Sequence, residues 1–247
     1  MKIDPDKDAD LSAQIPEAIR NAIISGDLIV DERLPSEAEL ADQFDVSRST
    51  IREALKRLAA QSLIRTQRGA FGGAFVNKLS YDGARAQLIT TSTLLLSMNE
   101  VSIDTACEAR FALERACVPL AAQRRTEAHL RAMAREIERQ SDNTLSDEGF
   151  CASDVAFHRA LVDAAKNPVL SYQLSGSIEA MQPLMNMITF SARSRAEIIA
   201  LHGAILAAIE NRDPNEAAAQ LEQLETYTKK LAHTVLETKR AKRQAPN

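Results

Sequence analysis

The sequence predicts a mainly α protein in two parts: an N-terminal unit of short helices closed by a small hairpin, then a longer C-terminal all-α helical bundle. Three observations predict it. Apolar residues recur at helical spacing along most of the 247 residues. Aromatic residues make up only 4% with no Trp, while Ala and Leu are abundant, which favours helices over sandwiches. Gly69, Gly72 and Gly73 separate two short runs that read as strands, a hairpin signature. Hydrophobic content of 45% and charged content of 26% are ordinary globular values and leave room for two cores.

Residues 1–10 are acidic and aperiodic and read as an arm. Ile15, Ala18, Ile19, Ala22 and Ile23 then repeat at helical spacing, and Gly26 supplies the stop. Residues 28–34 read as an extended connector ending at Pro35. Ser36 opens a helix with a capping box, in which its hydroxyl meets the Glu39 amide and the Glu39 carboxylate reaches back; the helix ends near Phe44. A turn through Asp45 and Val46 leads to Ser47, the N-cap of the next helix. There Ile51, Ala54, Leu55 and Leu58 fall at i, i+3, i+4 and i+7 and form one buried stripe, with Arg48, Arg52 and Lys56 on another face. Residues 63–66 and 74–77 read as the hairpin strands. After Lys78 longer amphipathic helices follow, at about 81–96, 102–125, 126–140, 147–165, 169–189, 193–211 and 214–239, divided by polar and proline-containing breaks. The expected domains are residues 1–78 and 79–247.

A capped helix, a tight turn, a basic helix and a glycine hairpin, in that order, make a winged helix-turn-helix. In that arrangement one helix enters the DNA major groove and the wing touches the backbone or minor groove. The net charge of -4 gives no global basicity, but charge is polarised along the chain. Between Phe44 and Lys78, the basic residues Arg48, Arg52, Lys56, Arg57, Arg65, Arg68 and Lys78 face only Asp45 and Glu53. With the apolar stripe docked, Arg48, Ser49, Thr50 and Arg52 stand at the exposed N-terminal turn. Arg forks onto guanine O6 and N7, Ser and Thr reach phosphates or bases, and the free amides of a helix N-terminus attract phosphate. Gly69 lets the wing backbone approach a duplex, and Arg68 is placed to enter the minor groove or hold a phosphate. Cys107, Cys117 and Cys151 are an odd number without zinc-finger or CxxC spacing; with no signal peptide, they read as reduced thiols in a cytoplasmic protein. The longest apolar runs are too short to span a bilayer.

The stretch LPSEAELADQFDVSRSTIREALKRLAAQSLI resembles the winged helix of GntR-type bacterial transcription regulators. The resemblance implies that Ser47, Arg48, Ser49, Thr50, Arg52, Arg68 and Gly69 contact operator DNA. Many relatives carry Arg where this chain has Ala38, so one base contact is lost or replaced.

In the bundle, Asp154 and His158 lie four apart and share a helical face; Cys151 is nearly on it, and His202 lies on a later helix. One carboxylate and two imidazoles make most of a first shell for Zn, Ni, Mn or Fe. The alternative is a capping Asp with two core or surface histidines. The segments DTACEARFALERACVPLAAQR, DVAFHRALVDAAKNPVL and LHGAILAAIENRDPNEAA resemble the FCD-type effector domain of the FadR-like branch of the same regulators. That resemblance implies a divalent metal held by an Asp and three His beside a small carboxylate effector, with Asp154, His158 and His202 as three of the ligands. The fourth falls at Leu224, which cannot ligate. Either three protein ligands leave an open face, or the site has lost metal and binds the effector directly; Cys151, Gln220 and Glu225 are the available substitutes. Arg110 either pairs with an organic acid, as the resemblance implies, or forms an i,i+4 salt bridge with Glu114. Arg193 and Arg195 read as a solvated helix start, and His129 and His233 as surface residues.

The expected function is a homodimeric, ligand-responsive transcription regulator, a repressor, reading a palindromic operator under control of a small organic acid bound in the helical domain. The alternatives are a metal-responsive regulator and a metal-dependent enzyme using Asp154, His158 and His202, the two-His, one-carboxylate set of some iron oxygenases. No separate general base or nucleophile constellation accompanies that set, so no enzyme is expected.

Overall fold

The amphipathic pattern of the N-terminal third closes around an apolar cluster in which Ile19, Leu40, Ile51, Leu58 and Val76 are shielded from solvent. The chain is seen in a computed structural model that describes residues 11–69, 72–98, 101–181 and 194–244. It divides into two units, Met1–Ala84 and Arg85–Asn247. Among the described residues there are ten helices and one two-stranded sheet, a mainly α architecture with a winged N-terminal unit as the sequence predicts. No helix among them is long and apolar enough to cross a membrane.

In the first unit, α1 (Leu11–Ser25) and α2 (Glu37–Phe44) pack on α3 (Arg48–Ala60), which leads into the hairpin of β1 (Ile64–Gln67) and β2 (Gly73–Val76). The Ser36 box forms in full: the Glu39 amide donates to Ser36 Oγ at 3.2 Å and the Ser36 amide to Glu39 Oε2 at 2.7 Å. Asp45, at φ 51°, adopts the left-handed conformation that turns the chain from α2 into α3. The strands sit one residue away from their expected positions, with Ile64 opposite Val76 and Gln67 opposite Gly73. That register turns Ile64, Ala74 and Val76 into the core. The connector before α2 runs along the hairpin, donating from Leu34 N to Ala74 O at 2.8 Å and bridging Arg33 to Phe75. Gly73 takes φ 149° there, a backbone conformation that residues with a side chain rarely adopt.

The second unit comprises α4 (Tyr81–Met98, whose first residues belong to the first unit), α5 (Ile103–Arg124), α6 (Glu127–Gln140), α7 (Asp147–Ala164), α8 (Pro168–Ala180), α9 (Arg195–Glu210) and α10 (Pro214–Gln244). Helix α5 packs on α7 and α10, and α6 packs on α7 and α9, around Phe111, Met133, Phe150, Phe157 and Leu161. Ser102, Ser146, Asn167 and Ser194 cap the helices that follow them. The helix expected over 169–189 ends at Ala180; the expected arm at 1–10, residues 182–193 and with them Arg193 lie outside the described residues. Arg195 is not a solvated helix start. It donates to Leu145 O at 2.8 Å and Asp147 Oδ1 at 2.6 Å and lies over the Phe150 ring, tying the starts of α7 and α9.

Ser36→Ala removes the acceptor for one helix-end amide. The expected loss is about 1 kcal/mol of stability, read as a lower urea midpoint at unchanged slope; no change would mean that water caps α2 equally well.

Candidate functional site

The first candidate surface is the outer face of α3. Ile51, Ala54, Leu55 and Leu58 bury its inner face, so its polar residues are directed outward by default. Ser47 caps the helix by accepting from Thr50 N at 3.2 Å, and its hydroxyl lies 2.7 Å from that of Ser49 and 2.8 Å from that of Thr50. Three hydroxyls therefore cluster where free helix amides already favour an anion. Arg48 and Ser49 are exposed, and Thr50 is half-buried. Arg68 and Gly69 are exposed at the hairpin turn, Gly69 with φ 106°. Arg52 is exposed but engaged: its Nε and Nη2 donate to the two carboxylate oxygens of Glu37 at 3.3 and 2.8 Å. That hydrogen bond holds the Glu37 carboxyl below the usual carboxylate range. Beside the pair, a cleft of about 460 Å³ between α3 and the hairpin is rimmed by Arg33, Arg52 and Lys56. Glu37 and Arg33 are members of this surface that sequence reasoning missed, because both lie outside the helix whose face identified it.

The second candidate site lies in the helical unit. Asp154 and His158 on α7 and His202 on α9 are all buried, and one donor atom from each lies within 4.8 Å of the others. His202 Nδ1 lies 2.9 Å from Gln140 Oε1, and His158 Nδ1 lies 3.0 Å from Glu114 Oε2. His202 Nδ1 thus faces an amide oxygen and His158 Nδ1 a carboxylate, while His202 Nε2 lies 3.6 Å from Asp154 Oδ1. Phe157 stacks on His202 at 4.0 Å and meets His158 edge-on, locking both rings. Two imidazoles with partnered Nδ1 atoms, converging on a carboxylate, fit a divalent ion of the Zn, Ni or Mn type.

Glu114 is the centre of the surrounding charge. It is fully buried, and its other oxygen accepts from Arg110 Nε at 2.8 Å. Burial alone would raise its pKa, but the charges of His158 and Arg110 and their hydrogen bonds pull it down to about 2. Burial likewise works against the Arg110 charge, and Glu114 and Asp154 more than restore it, raising its pKa. The i,i+4 pair with Glu114 is therefore formed, through Arg110 Nε. The neighbouring Cys117 thiol is pushed up to about 12, first by burial and then by Glu114 and Asp163, which makes it an inert packing group.

The expected substitutes for the missing ligand are elsewhere. Leu224 is part of the apolar core. Glu225 pairs with Arg115 at 2.5 Å and Lys229 at 2.8 Å, and Gln220 donates to Glu216 at 2.7 Å. Cys151 is buried on α7 and is not among the grouped donors. His233 is exposed as expected, 3.2 Å from Asp104, whereas His129 is half-buried and accepts from Thr126 N at 3.2 Å, closing the start of α6.

Residues 11–76 match the family described as bacterial regulatory proteins, gntR family, and residues 105–225 match the FCD domain. The chain is 30% identical over 220 residues to the galactonate operon transcriptional repressor of Escherichia coli (strain K12), covering 85% of this chain and 91% of that protein. It is 28% identical over 217 residues to the HTH-type transcriptional regulator YcbG of Bacillus subtilis (strain 168), covering 88% of each. Among solved structures, Streptococcus agalactiae GntR shares the fold with a TM-score of 0.55 at 23% identity, over 91% of this chain and 100% of that one.

Glu114→Ala leaves the Arg110 charge buried and uncompensated and removes the Nδ1 partner of His158. Breaking such a pair costs about 3–5 kcal/mol, measured by urea unfolding of chelated protein; a loss below about 1 kcal/mol would show that solvent reaches the cluster.

Proposed function

We propose a specific regulatory role for this chain, which belongs to the GntR family of DNA-binding transcription regulators. Members of that family are regulators and not enzymes, which sets aside the iron-oxygenase reading. The proposed role is that of a cytoplasmic repressor that binds a palindromic operator as a homodimer and is controlled by a small organic acid in the helical unit.

The observation that carries the DNA-reading part is the division of α3 into a fully seated apolar face and an outer face bearing Ser47, Arg48, Ser49, Thr50 and Arg52. On this reading the helix N-terminus and its hydroxyls hold phosphate, the two arginines reach base edges or backbone, and Arg68 and Gly69 bring the wing against the duplex. Two copies related by a two-fold axis read symmetric half-sites.

For the effector part, Asp154, His158 and His202 would hold a divalent ion, with Glu114 and Gln140 orienting the imidazoles. A bound ion would supply a Lewis-acidic position for a carboxylate oxygen. Arg110 offers a cation nearby for the same anion. One relative is named as a galactonate operon transcriptional repressor, and galactonate is itself a carboxylate, which is consistent with this class of ligand. To regulate, the ligand must bind one state of the dimer more tightly than the other.

Two measurements test these assignments. Arg48→Ala is expected to weaken duplex binding and, for a phosphate contact, to lower the slope of log affinity against log salt by about one; unchanged binding would remove Arg48 from the surface. Chelated protein is expected to gain thermal stability with Zn, Ni or Mn, by about 2.7 kcal/mol at a hundredfold excess over Kd, and further with a hydroxycarboxylic acid. Asp154→Ala should abolish the metal response. Stabilisation by organic acid alone in chelated protein would assign direct binding, and operator release by metal alone would assign a metal sensor.

A further inference from the structure

Glu37 and Arg52 meet across two helices on the face assigned to DNA. The carboxylate takes the guanidinium along one edge, with Nε to Oε1 at 3.3 Å and Nη2 to Oε2 at 2.8 Å. The side chains remain 39% and 60% exposed, conditions in which an ion pair adds little to stability. A carboxylate there also repels the phosphates of an approaching duplex. Neither stability nor attraction to DNA explains it.

Geometry does. A guanidinium carries five donors in a rigid plane. Glu37 occupies Nε and one hydrogen of Nη2, and leaves the edge formed by Nη1 and the other Nη2 hydrogen. That edge still presents two parallel donors, the arrangement that reads O6 and N7 of guanine. The long side chain is also held in one plane before DNA arrives, which reduces the ordering cost of binding. Arg48, one turn earlier on α3, has no such partner among the described residues. We propose that Glu37 is a specificity-determining positioning residue, fixing the Arg52 guanidinium so that it reads one guanine in the major groove. This rests on the DNA-reading assignment of α3.

The test uses the full chain. Wild type first enriches duplexes from a randomised pool. Affinities of wild type, Glu37→Gln, Glu37→Ala, Arg52→Ala and the Glu37→Ala/Arg52→Ala double variant are then measured for the enriched duplex, its single-base-pair variants and a scrambled duplex at one salt concentration. Glu37→Gln and Glu37→Ala are expected to bind the scrambled duplex at least as tightly as wild type, since a negative charge is gone. They should lose roughly tenfold in discrimination at one G·C pair, the size of one good bidentate contact. Arg52→Ala should lose discrimination at the same pair, and the double variant should lose no more. Full discrimination in Glu37→Ala, with affinity raised equally for every duplex, would overturn the proposal and make Glu37 a mask. A loss spread evenly over all base pairs with a lowered thermal midpoint would overturn it in favour of a helix-capping role. If wild type enriches no duplex, the assignment of α3 fails and the proposal with it, an outcome distinct from enrichment followed by unchanged discrimination.

Discussion

The N-terminal unit depends on the seating of α3. Ile51, Ala54, Leu55 and Leu58 leave that helix one rotation about its own axis, because any other would expose the stripe and bury arginines without partners. Asp45 in the left-handed region turns the chain from α2 into α3, and Ser47 caps the start of α3. The hairpin follows directly from α3 and is fixed by its register and by the connector hydrogen-bonded along it. Placement of Arg48, Arg52 and the hydroxyl cluster is thus a consequence of apolar packing on the opposite side of one helix.

The helical unit solves a different problem. Its core holds Arg110, Glu114, Asp154, His158, Gln140 and His202 among Phe111, Phe157 and other apolar side chains. Buried charges persist only when paired. Glu114 makes the pairing possible by serving Arg110 with one oxygen and His158 with the other, which links the cation proposed for an effector to a ligand proposed for a metal. The same pairing orients the imidazole, so structural necessity and ligand geometry coincide in one carboxylate.

Features made by neighbours in sequence were legible from residues alone. The Ser36 and Glu39 box, the Ser47 cap, the buried stripe of α3 and the glycine turn all act within a few positions, and each appears where local chemistry requires it. The pairing of His202 with Gln140, 62 positions away, had no such signal, nor had the link from Arg195 to Asp147 or from Glu37 to Arg52. A side chain's type states which chemistry it can perform; the fold decides which partner it receives. Leu224 illustrates the limit from the other side, since a residue notable as a missing ligand is an ordinary member of the apolar core.

The central claim, that the outer face of α3 reads DNA from the major groove, is tested most directly by chemical protection of guanine N7. Dimethyl sulfate treatment of an enriched duplex, with and without the full chain, reports major-groove contacts because guanine N7 lies in that groove. The account predicts protected guanines in the bound duplex, with protection at one of them lost in Arg52→Ala. Saturated binding with every guanine N7 still reactive would contradict it.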